Sequence, residues 1–172
     1  LLYLIGHDRR DERAAEPELP MQLLTYTDYA MRVLLYVGAH PDTTVATSTI
    51  ARAYGISTDH VAKATKALTR HRVLHATRGV RGGVRLAMRP PEIRVGDVVR
   101  LFEGERRAVE CLRTPPVRCK IDAVCRLRGV LERAQAAFYA ELDRCSLEDL
   151  LANRSQLAQL LGPKKSARGR TS

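Results

Sequence analysis

Between His60 and Arg89 the chain carries eight lysines and arginines and no acid: Lys63, Lys66, Arg70, Arg72, Arg78, Arg81, Arg85 and Arg89, with His60, His71 and His75 among them. A solvated helix face usually mixes signs, so that residues four apart can pair. A single-sign stretch of this length fits a surface that meets a polyanion; the alternative is a merely solvated face. The apolar period also changes within it. Val61, Ala64 and Leu68 recur at helical spacing, opposite His60, Lys63, Lys66 and Arg70, whereas the residues beyond Val73 follow a strand pattern. Val73–Arg78 and Gly83–Ala87 read as two strands joined by Gly79-Val80-Arg81-Gly82, a hairpin with an arginine at a glycine-rich tip.

The preceding sequence supplies two more helices. Leu23, Tyr26, Ala30, Val33, Leu34 and Val37 form an apolar stripe from Leu23 to Ala39, which Pro41 ends. Thr47 or Ser48 is expected to cap a second helix running through Tyr54. Gly55-Ile56-Ser57 is a tight turn, with Ser57 placed to cap a third helix from Thr58 to about His71. Helix, glycine turn, basic helix and hairpin together describe a winged helix-turn-helix, a double-stranded DNA reader. Ser57, Thr58, His60, Lys63 and Lys66 are expected to face DNA from the third helix, and Arg78, Arg81 and Arg85 from the wing. Pro90-Pro91 stops the hairpin, and a short helix follows from Val95 to Phe102.

Beyond Glu103 the chain changes character. A segment with Pro115-Pro116 carries Cys111, Cys119 and Cys125, separated by seven and five residues, while Cys145 stands apart. Zinc, an iron–sulfur cluster and unliganded reactive thiols are all open on this spacing, although the paired C-x-x-C zinc knuckle is absent. The neighbouring Arg113, Arg118, Lys120, Arg126 and Arg128 would offset the charge of thiolates and an anionic cluster. A redox enzyme would need acid–base residues around the cysteines, and no such His or Glu constellation is visible. From about Cys125 to Leu142, Leu127, Val130, Leu131, Ala134, Phe138 and Leu142 line one side of a long helix. This stripe is expected to be a dimer seam, ordinary intrachain packing being the alternative. Ser146 should cap one final helix bearing Leu147, Leu150, Leu151 and Leu157.

With 172 residues, 45% of them apolar, and no Trp, the chain can bury a core built mainly of Leu, Val and Ala. No apolar run approaches membrane-spanning length. Of the net +10, residues 1–20 contribute −2 and residues 163–172 contribute +4. The expected organisation is a disordered or non-native leader over 1–20, a winged helix-turn-helix domain over 21–104 and a cluster loop over 105–125. A dimerisation helix and C-terminal helix would follow over 126–162, then a basic disordered tail over 163–172.

These residues resemble a known family, the cluster-binding winged-helix transcription regulators, and within it the nitric-oxide-sensing repressors. The resemblance runs from Met21 to about Leu161. It rests on Met21-Gln22-Leu23 through Thr27-Asp28-Tyr29, on His60-Val61-Ala62-Lys63, and on the run Arg78 to Leu86. It continues through Ile93 to Arg100 and the triple cysteine followed by Arg126-Leu127. It implies a cytoplasmic bacterial homodimer that represses transcription and is not an enzyme. It also implies an iron–sulfur cluster, [4Fe-4S] favoured and [2Fe-2S] possible, held by Cys111, Cys119 and Cys125, with nitric oxide as signal. Iron- or redox-responsive regulation within the same family, and a zinc or apo regulator, are the alternatives. Where relatives that sense cluster supply have a histidine, this chain has Arg128. Asp28 matches the aspartate of the nitric-oxide branch and would supply the fourth ligand to the other subunit; pairing with Arg32 on the surface is the competing role.

Overall fold

The computed structural model describes residues 23–79, 82–104, 109–112 and 119–162. The expected leader, the tail, Arg81, Arg113, Pro115, Pro116 and Arg118 lie outside the described residues. Helix α1 (Thr25–Ala39) is the hub of the core, burying Ala30, Val33, Leu34 and Val37. Against it packs α3 (Thr58–Arg70), whose inward residues Val61, Ala64 and Leu68 are all buried. Leu23 and Tyr26, expected on the inward stripe, are instead 43% and 36% exposed. They sit at the start of α1, where among the described residues only the edge of His60 reaches Tyr26 through a ring contact from another element.

Between these helices lies α2 (Thr47–Tyr54), which ends at Gly55 with a φ of 66°. That left-handed geometry suits glycine and turns the chain sharply into α3. Thr47 is the first residue of α2 rather than its cap; the cap position belongs to Ala46, which has no side-chain oxygen to offer. Ser57 caps α3 as its position suggests, accepting the His60 N–H at 3.4 Å.

The wing pairs β1 (Leu74–Thr77) antiparallel with β2 (Gly83–Leu86), in the register Leu74 opposite Leu86 and His75 opposite Arg85. Leu74 and Val84 turn into the core. The hairpin is anchored to the α1–α2 connection by two backbone bonds, Val45 N–H to Val84 O at 2.9 Å and its reciprocal at 2.8 Å. Gly83 permits this approach, since a Cβ there would stand 2.4 Å from the Val45 carbonyl oxygen.

After the wing, α4 (Val95–Glu103) buries Val95, Val98 and Val99. It runs antiparallel to the long α5 (Arg126–Arg144). Backbone bonds from Val95 N–H to Cys145 O, 2.9 Å, and from Leu147 N–H to Ile93 O, 2.8 Å, close one end of the pair. The expected single terminal helix is two: α6 (Leu147–Leu150), capped by Ser146 and Asp149, and α7 (Arg154–Leu161). Leu147 and Leu151, one turn apart, both enter the core, Leu151 beside Gly38 of α1, and the chain turns over 151–153 before α7 packs on α1.

Because a Cβ at Gly83 would collide with backbone, Gly83→Ala should cost roughly 1–3 kcal/mol and loosen the wing. A thermal melt unchanged from the parent would contradict the close approach.

Candidate functional site

The helix-turn-helix presents Ser57, Thr58, His60, Lys63 and Lys66 as exposed side chains on one side of α3, with Arg70 further along. Arg78 and Arg85 are exposed on the wing. All the described members of the expected DNA-facing set are exposed, but Arg85 lines a separate hollow with Val37, Gly38 and Arg89 rather than the one that holds Lys66. His60 is not a lone side chain. Its ring stacks on Tyr29, with centroids 5.6 Å apart and planes 23° apart, and meets the edge of Tyr26 at 5.9 Å. Sequence periodicity missed this cluster, since it placed Tyr26 in the core stripe of α1. The aromatic contact fixes the first turn of α3 against α1. Thr65, absent from the expected inward face, is also buried, and its hydroxyl has no partner among the described residues.

A second site lies where α4 passes into the cysteine segment. Short 3₁₀ turns at Glu110–Leu112 and Asp122–Val124 flank it. Cys111 and Cys125 are half-buried, Cys119 is exposed, and all are free thiols. Soft thiolates on one irregular segment are the donor chemistry an iron–sulfur cluster takes, so the residue types fit. Their positions are not gathered: among the described residues no three His, Cys, Asp or Glu side chains form a group that could hold a metal ion. The cations expected to offset the thiolates are partly committed elsewhere. Arg128 bonds Asp122 at 2.9 Å and Glu132 at 3.2 Å, pinning the start of α5 to the preceding turn. Asp122 foremost, then Glu132, holds the Arg128 guanidinium pKa above its ordinary value.

Asp28 stands in the first turn of α1 and pairs with Arg32 at 2.8 Å. Arg32 also lies over the Tyr54 ring, 5.6 Å from its centroid. The same end of α1 receives Glu103, the last residue of α4. Its buried carboxylate accepts the Leu24 N–H at 2.7 Å and the hydroxyl of the fully buried Thr27. Glu103 thus joins the entry of the cysteine segment to the helix that carries Asp28, a link no local pattern indicates across 76 residues of separation.

On its other side the segment leads into α5, which has no buried residue in the single chain. Ile121, Val124, Leu127 and Val130 are 58%, 80%, 61% and 50% exposed. Among the described residues, intrachain packing leaves the start of the stripe exposed, while Leu131, Phe138 and Leu142 are half-buried. A polar link ties α5 to α4. Arg100 donates two bonds to Asp143, at 2.7 and 2.6 Å, and lies over the Tyr139 ring at 4.6 Å.

The fold and its exposed basic helix define a winged-helix transcriptional regulator. Comparison with known proteins agrees. The model of the Rrf2 family, described as iron-dependent transcriptional regulators, matches residues 23–153. The chain belongs to that family. It is 39% identical over 142 residues to the HTH-type transcriptional regulator NsrR of Halalkalibacterium halodurans, covering 82% of this chain and 97% of the relative. To the NsrR of Geobacillus kaustophilus it is 41% identical over 146 residues, covering 84% and 99%. Among solved structures, CymR, the global cysteine regulator of B. subtilis, superposes with a TM-score of 0.63 at 22% identity, over 77% of this chain and 98% of that one. T. potens IscR gives 0.62 at 22%, over 77% and 88%. Both share the fold. No helix among the described residues is long and apolar enough to cross a membrane.

The Arg100 hydrogen bonds hold the Asp143 carboxyl below its ordinary value of 3.8. A lowered carboxyl pKa contributes stability above the unfolded value and loses it as pH falls through the folded one. Asp143→Asn should therefore melt below the parent at neutral pH, and the gap should close in acid below that ordinary value. A gap that persists unchanged in acid would remove the ion pair from the account.

Proposed function

We propose that the chain is a homodimeric, DNA-binding transcriptional repressor whose iron–sulfur cluster senses nitric oxide. In this reading residues 21–104 form the DNA-binding unit, 105–125 the cluster loop and 126–162 the dimer-forming part. Cys111, Cys119 and Cys125 would hold the cluster, with Asp28 of the partner subunit as fourth ligand. The observation that carries the reading is the placement of three free thiols between Glu103 and the uncovered apolar start of α5, in a chain similar to proteins named NsrR. When bound, the cluster would supply iron sites with which a small diatomic molecule can react.

The chain's own residues account for the coupling. The cysteine segment begins at Glu103, which caps α1, and α1 holds the first turn of α3 through Tyr29 and His60. Its far end opens α5, whose apolar face needs a second copy to leave water. A shift of the segment therefore acts on both the recognition helix and the subunit pairing. Operator half-sites repeat at a fixed distance, about 34–36 Å for one turn, so a changed separation of the two recognition helices costs one half-site. His60 and Lys63 would approach base edges. Arg78, Arg81 and Arg85 would serve the wing, where a narrow minor groove attracts arginine.

Serine at Cys111, Cys119 or Cys125 should each abolish the visible absorbance of anaerobically purified protein together with tight operator binding. Serine at Cys145 should leave both intact. Bleaching by Cys145→Ser but not by Cys111→Ser would overturn the ligand set, and a colourless parent containing zinc would favour a zinc regulator. Asp28→Ala should retain the absorbance, change the rate of reaction with nitric oxide and weaken the dimer. A variant matching the parent in all three would return Asp28 to its ion pair with Arg32.

A further inference from the structure

The hollow that holds Arg85 has a volume of about 420 Å³ and lies between the end of α1, the base of the hairpin and the start of α7. Val37, Leu86 and Met88 give it an apolar lining, Arg85, Arg89 and Arg154 border it, and no acid lines it among the described residues. Arg89 is held by Glu92 at 2.6 Å, whereas neither Arg85 nor Arg154 forms an ion pair with a described residue. The end of α1 beside them, which has no basic residue in its last turn, offers only a partial negative charge. All three cations are arginines, whose planar fork matches a carboxylate, and Met88 is an exposed apolar side chain among them. Arginine and methionine are the side chains that protein interfaces favour, while lysine is depleted there. Successive residues of a strand project to opposite sides. Val84 accordingly borders the hollow beside α3 that holds Lys66, Arg85 borders this one, and no residue lines both.

We propose that this hollow docks an acidic segment of a partner protein, with carboxylates on Arg85 and Arg154 and one apolar side chain against Leu86 and Met88. The inference goes beyond the DNA-binding reading, since it gives the chain a second binding surface. A simple anion would pair the arginines and leave the apolar lining in water. A nucleic-acid backbone would do the same, because it brings phosphates and sugars but no apolar side chain. An acidic peptide with an apolar residue supplies both, and burying that residue adds to the charge pairing. A segment seated here leaves Ser57, Thr58, His60 and Lys63 on α3 free, so the surface stays open while the operator is bound. Arg85 then moves from the DNA-facing set to the docking set, and Arg154, which no periodicity singles out, joins it.

The test uses the full chain, free and operator-bound, with a short fluorescein-labelled peptide of Glu and Asp carrying one central Leu, read by anisotropy at about 0.15 M salt. The parent should bind the peptide equally in both states. Arg154→Ala and Met88→Ser should each weaken it roughly fivefold while keeping the parent's melting temperature and operator affinity. Against a peptide with Ser in place of its Leu, Met88→Ser should make no further difference. Arg144→Ala, which removes an equal charge from α5, should bind the peptide as the parent does. Several results would overturn the proposal: no binding of the peptide by the parent, its displacement by operator, its displacement by inorganic phosphate as readily as by unlabelled peptide, or equal losses for Arg144→Ala and Arg154→Ala. Weakened duplex binding by Arg154→Ala with peptide binding intact would also overturn it and assign the hollow to flanking DNA. A parent that binds the peptide through Arg154 but binds no operator would bring down the DNA-binding reading and leave this one standing.

Discussion

The carboxylate of Glu103 sits at the N-terminus of α1, buried, with the Leu24 N–H and the Thr27 hydroxyl as its donors. A helix start leaves backbone N–H groups without partners and carries a partial positive charge. Helix α1 has no side-chain cap of its own, so a residue from another helix supplies the acceptor. This one interaction closes the most heavily used helix of the core. It also fixes where α4 ends, and hence where the cysteine segment begins. Gly104, with a φ of 60°, then turns the chain away from α4.

Two surfaces follow from that anchoring. On one side α1 supports the recognition helix through buried Val33, Leu34 and Val37, and through the Tyr26–Tyr29–His60 cluster at its open end. On the other, α4 holds α5 by the Arg100–Asp143 pair and the backbone bonds at Val95 and Leu147, leaving the apolar stripe of α5 outward. Gly96 belongs to this arrangement, since a Cβ there would fall on the Asp143 carboxylate and disturb its pairing with Arg100. The cysteines lie on the connection between the surfaces. In the proposed reading, a ligand held on this connection by Cys111, Cys119 and Cys125 would act on both.

Much of the fold was legible in the sequence because its signals are local. The Gly55–Ser57 turn, the cap at Ser57, the inward triad of Val61, Ala64 and Leu68, and the change of period at Val73 each need only a few neighbouring residues. The outward face of α3 followed from the same periodicity, and so did the apolar stripe of α5, of which Leu127 and Val130 are exposed and Leu131, Phe138 and Leu142 half-buried. What escaped were contacts between residues distant in the chain. Glu103 reads locally as the polar end of a helix, Tyr26 as one more apolar position, and Thr65 as a helix-face polar residue. The split between α6 and α7 escaped as well, since Leu147, Leu150, Leu151 and Leu157 satisfy a helical period and only packing on α1 reveals the break. Arg128 looked like a counter-charge for thiolates until its pairing with Asp122 and Glu132 came into view.

The central claim is that the state of the cysteine segment controls the spacing of the DNA-reading helices. Its most direct test is a titration of one anaerobic sample with nitric oxide, recording visible absorbance and operator affinity on the same aliquots. The account predicts that absorbance and specific affinity fall together, while the weak, salt-dependent binding to unrelated duplex persists because Lys66, Arg70 and the wing are untouched. Operator affinity that stays at its starting value after the absorbance has gone would contradict it.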